Sequence, residues 1–211
     1  MHCGIFQTPK SPRRQTGGLK EYFMNNLAYQ DYRREELIDG KVIAMAPASA
    51  GHTYVADNIL MIFKQYLKGK QCIPFGDGLL VRLTDKDKFV PDVMVVCDRD
   101  KIKPDGIHGA PDLVVEVLSP STAKIDRTHK KDVYEQCGVP EYWIVDPAAK
   151  SIEVYLLSDE RYFLDNIYFY HSPEDMQYLT DEEKAALVTE FKCHLYDDLP
   201  IPLDDIFGDL F

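Results

Sequence analysis

Asp92, Glu116 and Lys130 are residues of this 211-residue chain whose types and spacing could do chemistry. Glu116 lies in "APDLVVEVLSPS", an apolar run of the kind that forms a buried strand. Taking a carboxylate out of water costs several kcal/mol unless a partner compensates it, so either this strand is not buried or Glu116 has a partner. Residues two apart in a strand share a face. Asp112, Val114 and Glu116 therefore lie on one side, and in "PDVMVV" Asp92 shares a face with Met94 and Val96. If the two strands are neighbours, Asp92 and Glu116 meet on one surface. Two carboxylates together repel, and one tends to stay protonated. A divalent cation removes that conflict, and oxygen ligands favour Mg²⁺ or a similar hard ion such as Mn²⁺.

The positive charge comes from "TAKIDRTHKKDVYEQCG". On a wheel of about 100° per residue centred on Lys130, Tyr134 falls near +40°, Cys137 near −20° and Val133 near −60°. Lys130 thus sits inside the apolar stripe, with Lys131 on its flank. A metal held by the two carboxylates, with Lys130 against developing charge, is a set that can hydrolyse a phosphodiester. The same residues have a plainer reading. Asp92 could be a turn residue after Pro91, and Glu116 with Lys130 a buried ion pair without chemistry.

These side chains need a scaffold. "ELIDGKVIAMAP" predicts a hairpin turning at Asp39-Gly40. "GHTYVADNILMIFKQYLKGK" predicts an amphipathic helix ending near Gly69. "CIPFGDGLLVRL", "FVPDVMVV" and "PDLVVEVL" read as strands, the last two as strands covered on both faces. A second helix runs from a Thr122 cap to a stop at Gly138 and Pro140. "EYWIVD", "SIEVYLL" and "RYFLDNIYFY" continue the β pattern, and "PLDDIFGDLF" reads as an apolar plug. Helices mixed with a central sheet make an α/β (α+β) class. Residues 1 to 20, with Lys10, Arg13, Arg14 and Lys20 but no acid, read as a loose basic tail. "EYFMNNLAYQDYRR" suggests a short helix. Residues 21 to 211 are expected to form one domain, with its core over about 30 to 157 and an extension from 158 to 211.

The formal net charge is −11, which counts against tight nonspecific binding to nucleic acid unless a metal or a local basic surface intervenes. No apolar run is long enough for a membrane helix, and no secretory leader is visible, so a cytoplasmic protein is expected. The five cysteines, Cys3, Cys72, Cys97, Cys137 and Cys193, are widely spaced and odd in number. They are expected to be reduced, without a disulfide framework or zinc site. No Ser-His-Asp order or Gly-rich phosphate loop stands out.

At these residues the chain resembles the PD-(D/E)XK restriction-endonuclease-like superfamily. "ELIDGKVIAMAP", "GH" opening a helix, "VPDVMVV", "GAPDLVVEVLSPST", "DRTHKKDVYEQCGVPEYWIVDP" and "PLDDIF" together look like one bacterial restriction-endonuclease group first catalogued as a domain of unknown function. The likeness spans roughly residues 30 to 157, with a weaker echo at the C-terminus. It implies a mixed β-sheet flanked by helices, an endonuclease acting on nucleic acid, DNA in the first instance, and a homodimer. It implies Asp92 and Glu116 as metal ligands and Lys130 as the catalytic lysine. The superfamily's usual lysine position, two residues after the acid, is Leu118 here. Glu36 matches an acid before the hairpin turn and could be a further ligand, as could Asp112. His52 and Arg127 could contact substrate, although His52 could equally be a helix-start residue. His129 falls off the core stripe and is expected at the surface. The rival reading is a catalytically inactive nucleic-acid-binding or protein-interaction domain of the same fold.

Overall fold

The computed structural model describes residues 34 to 211. The basic tail expected over 1 to 20 and the short helix expected in "EYFMNNLAYQDYRR" lie outside the described residues.

Two mixed sheets carry the fold. The larger is ordered β12-β11-β10-β9-β6-β3 and comprises β3 (Ile73–Gly76), β6 (Val93–Val96), β9 (Leu113–Val117), β10 (Glu141–Asp146), β11 (Ser151–Ser158) and β12 (Arg161–Phe169). Its pairs are antiparallel except β9 with β10. The smaller is ordered β2-β1-β5-β4-β8-β7, from β1 (Glu35–Ile38), β2 (Lys41–Ala44), β4 (Val81–Arg82), β5 (Lys88–Phe89), β7 (Ile102–Lys103) and β8 (Gly106–His108). A hairpin of β13 (Glu190–Lys192) and β14 (Pro200–Pro202) follows near the C-terminus.

The strands of the larger sheet sort their side chains by the two-residue period. Val93, Val95, Leu113, Val115, Val117 and Trp143 pack on one face, against helix α1 (Ala50–Tyr66) and the C-terminal segment. Met94, Val96, Val114, Tyr142 and Ile144 pack on the other, against the second helix and the smaller sheet. Glu116 belongs to this second face by register, beside Val114.

Pro91 accounts for the split of "FVPDVMVV" between two sheets. Proline has no N–H for a ladder; the chain leaves β5 at Phe89, passes Val90-Pro91, and enters β6 at Val93. Asp92 is thereby fixed at the seam. "CIPFGDGLLVRL" is likewise not one strand: β3 joins the larger sheet and β4 the smaller.

The second helix, α2, is continuous from Ala123 to Cys137 but not uniformly α. Ala123–Ile125 leads into a π-helical turn, Asp126–Lys130, and then Lys131–Cys137. Gly138 ends it with φ of 81°, a left-handed conformation that glycine adopts without a Cβ penalty. Thr122 occupies the N-cap position but makes no side-chain cap bond; its hydroxyl pairs with Ser119 instead.

Further on, the short helices α3 (Pro173–Met176) and α4 (Asp181–Ala186) both open on capping boxes, at Ser172 and Thr180. Helix α5 (Leu203–Phe207) buries Leu203, Ile206 and Phe207 in the main core.

One expectation is corrected. Cys72 and Cys97 form a disulfide, where reduced thiols were expected. The antiparallel register pairs Ile73 with Val96, which sets Cys72 opposite Cys97 one step beyond. Strand adjacency of this kind is invisible in cysteine spacing. His129 lies at the surface as expected, with its side chain 35% exposed, and its Nε2 lies 2.7 Å from Asp87 Oδ1.

Candidate active site

Register brings the first two residues together. Val93 pairs with Val115 antiparallel, so Asp92, one residue earlier, faces Glu116, one residue later. The Asp92 Oδ2 atom accepts a hydrogen bond from the Val117 amide at 2.7 Å, which ties it to the end of β9. Both side chains are buried, at 7% and 3% exposure.

Lys130 reaches them from α2. Its ammonium lies 3.1 Å from Glu116 Oε1, 3.0 Å from Glu36 Oε1 and 3.4 Å from Asp126 Oδ1. The Tyr134 hydroxyl donates to the same Glu116 Oε1 at 2.7 Å. Glu36, in β1, also accepts from the Val90 amide at 2.8 Å. The smaller sheet thus supplies one carboxylate, the larger sheet another, and the helix the third.

The electrostatics follow from burial and from an excess of acid. Four carboxyls, Glu36, Asp92, Glu116 and Asp126, are buried here, and the buried ammonium of Lys130 pairs with three of them, Asp92 meeting His52 instead. Burial pushes the Glu116 carboxyl well above its ordinary range; Lys130 pulls it back, while Asp126, Asp92 and Glu36 push it up further. Burial raises Asp126 too, against the pull of Lys130 and the Thr122 hydroxyl. For Lys130, burial alone favours the neutral amine, but the charges of Glu116, Glu36 and Asp126 outweigh it and hold the ammonium. His52 Nε2 lies 3.3 Å from Asp92 Oδ2. Burial would lower the His52 pKa, but the bond to Asp92 and its charge leave it raised.

Asp92, Glu116, Asp126, Lys130 and His52 line one cavity of about 720 Å³, together with Ser119, Ser121 and Thr122. Glu36 does not line it and backs Lys130 from behind. Two expected contributors lie elsewhere. Asp112 precedes β9, four residues and about 13 Å along the strand from Glu116, and its Oδ2 accepts from the Cys97 amide at 2.7 Å. Arg127 points to Glu153, at 2.7 Å, and Asp146, at 3.9 Å, on the outer side of α2. Sequence reasoning missed Asp126. The signal was present, because Asp126 is four residues before Lys130 and falls near −40° on the wheel that found Lys130.

The donor set suits a hard divalent cation. The carboxylates exceed the local positive charge, and the Asp126 Oδ1 atom is buried without a hydrogen bond. Among the described residues no three His, Cys, Asp or Glu side chains converge tightly enough to cage a metal. Mg²⁺ does not require that, since it keeps several waters and is held by one or two carboxylates plus substrate phosphate. Asp92 and Glu116 are the two that would hold it.

The chain is similar to known proteins in sequence and in fold. The uncharacterized proteins slr1290 and sll1609 of Synechocystis sp. are 30% and 27% identical to it, each over 64% of this chain and over 73% and 78% of their own lengths. The crystal structure of "a putative nuclease belonging to DUF820" from Anabaena variabilis superposes with a TM-score of 0.63 at 19% identity, covering 85% of this chain and 92% of that one. This bears out the expected fold class, a mixed sheet flanked by helices. A family model matches residues 21 to 183, and by that match the chain belongs to the Uma2 family, described as "Putative restriction endonuclease".

Proposed function

We propose that this protein is a divalent-cation-dependent endonuclease that hydrolyses phosphodiester bonds in DNA. The observation that carries the reading is Asp92 facing Glu116 across β6 and β9, in a cavity where buried carboxylates outnumber the one buried ammonium. The family's description supports the same class of activity.

A Mg²⁺ or Mn²⁺ ion held there would lower the pKa of a bound water and polarise a phosphate oxygen. The chain's own residues do the rest. Asp92, held by the Val117 amide, and Glu116, held by Tyr134, present fixed carboxylate oxygens. Lys130 keeps its proton, so it serves as a fixed positive charge for the developing phosphorane rather than as a base. Ser119, Ser121 and Thr122 line the cavity wall, and their mutually hydrogen-bonded hydroxyls would be donors for a phosphate. Cutting both strands of a duplex needs two such sites, which fits a homodimer. The exposed Phe163, Leu164, Ile167 and Phe169 on edge strand β12 are apolar surface that a pair would cover.

The test is cleavage of supercoiled plasmid with Mg²⁺ or Mn²⁺. The wild type is expected to nick or linearise it. Glu116→Gln and Asp92→Asn are expected to lose at least about 100-fold in rate, with unchanged circular dichroism. Cleavage surviving in Glu116→Gln would contradict the assignment. Cation-independent binding of DNA without cleavage under either metal would favour an inactive binding domain of the same fold.

A further inference from the structure

Asp126 is a buried carboxylate that the facing-strand site does not use. Its side chain is 2% exposed. It stands on the cavity wall with Asp92, Glu116 and Lys130. Its Oδ1 atom has no hydrogen bond, and Lys130, its ion-pair partner at 3.4 Å, is closer to Glu36 and Glu116. A group that merely clamped the lysine would sit closer than its rivals and would have its oxygens satisfied, since an unpaired buried acceptor costs about 1–3 kcal/mol.

The backbone at Asp126 is unusual in the same place. Asp126 opens the π-helical turn that Lys130 closes. Such turns are rare and occur often at functional sites. The Tyr142 hydroxyl, from β10, donates to the Asp126 carbonyl at 2.9 Å and supports the widened turn. A costly backbone thus holds an unsatisfied acid against the cavity.

We propose that Asp126 is a positioning residue of the cation site. Its Oδ1, free of any hydrogen bond from the described residues, accepts one from water held in the cavity beside a divalent cation, which tightens cation binding and orients that water. This inference rests on the nuclease reading of Asp92 and Glu116. It assigns the helix an acceptor that the protonated Lys130 cannot provide, because an ammonium carries three donors and no acceptor.

The test is calorimetric titration of Mn²⁺ into the full chain as wild type, Asp126→Asn and Lys130→Gln, with thermal melting of each apo protein. If Asp126 faces the cation, Asp126→Asn weakens Mn²⁺ binding by about 10–100-fold, the range for outer partners of metal ligands. The same variant melts at or above the wild type, because one of the buried acids in excess over the single ammonium is gone. Lys130→Gln shifts Mn²⁺ affinity the other way, by removing a positive charge from the site. If Asp126 only anchors Lys130, Asp126→Asn leaves Mn²⁺ affinity unchanged and lowers the melting temperature, which overturns the proposal alone. Failure of the wild type to bind Mn²⁺ contradicts the nuclease reading and removes the proposal with it. Should Asp126→Asn not fold, Asp126→Glu takes its place: it keeps the charge but displaces the oxygen, and unchanged affinity in it would equally overturn the role.

Discussion

Lys130 has Glu36, Glu116 and Asp126 within 3.4 Å and is 2% exposed, so its charge is what keeps those acids tolerable in the interior. Removing one partner of a buried ionic set leaves the others uncompensated, at a cost of about 3–5 kcal/mol. Lys130→Gln is therefore expected to lower unfolding free energy by about that much, measured by urea denaturation. A loss below 1 kcal/mol would show that the acids are protonated or wetted instead. Glu116→Gln should behave oppositely. The folded pKa of Glu116 is raised, so its favourable contribution belongs to acid pH and is lost as pH rises through that folded value. At neutral pH the amide is expected to cost little or to stabilise, while ending the proposed metal-dependent cleavage. The pattern of residues made this much legible: the strand period put Asp92 and Glu116 on matching faces, and the wheel put Lys130 inward. It could not show that Glu36 stands behind Lys130, because that contact joins β1 to α2 across nearly a hundred residues of chain.

At the scale of elements, Asp87 joins three pieces of structure. It accepts from the Asp39 amide in the β1–β2 turn, at 3.0 Å, and from the Thr84 hydroxyl, at 2.9 Å, and it meets His129 of α2 at 2.7 Å. Burial would raise its pKa, but the Asp39 amide, His129 and Thr84 outweigh that and hold it lowered. A lowered folded pKa contributes stability that is present above the ordinary value of 3.8 and is lost as pH falls through the folded value. Asp87→Asn is expected to lose on the order of 2 kcal/mol at neutral pH and to flatten the acid limb of a stability–pH profile. An unchanged acid limb would contradict this role. The Cys72–Cys97 disulfide closes a loop with a sequence separation of 25. Reduction, or the Cys72→Ser/Cys97→Ser pair, is expected to cost about 3 kcal/mol in the chain-entropy picture, and an identical melting curve under reductant would contradict it. The elements themselves were readable from hydrophobic period, Asp39-Gly40 and Gly138. What was not readable came from contacts between strands: the disulfide, the exchange of sheets at Pro91, and the π turn, since a wheel at fixed pitch assumes the helix is regular.

For the whole molecule, the charge of −11 sets how it meets a polyanion. Among the described residues, no helix is long and apolar enough to cross a membrane. Binding to duplex DNA at physiological salt is expected to be weak without a divalent cation and to strengthen with one, because the cation neutralises the carboxylates that face the phosphates. Fluorescence anisotropy with and without Mg²⁺ checks this; cation-independent tight binding would contradict it. Fold class was the most legible property of the sequence, because the combined motifs spread over both sheets and both long helices. The measurement that bears most directly on the account is calorimetric titration of Mg²⁺ and Mn²⁺ into the wild type, Asp92→Asn and Glu116→Gln. Saturable binding to the wild type is expected, lost in both variants while their folds persist. Equal binding by all three, or none by the wild type with a DNA oligonucleotide present, would contradict it and leave Glu116 as the structural partner of Lys130.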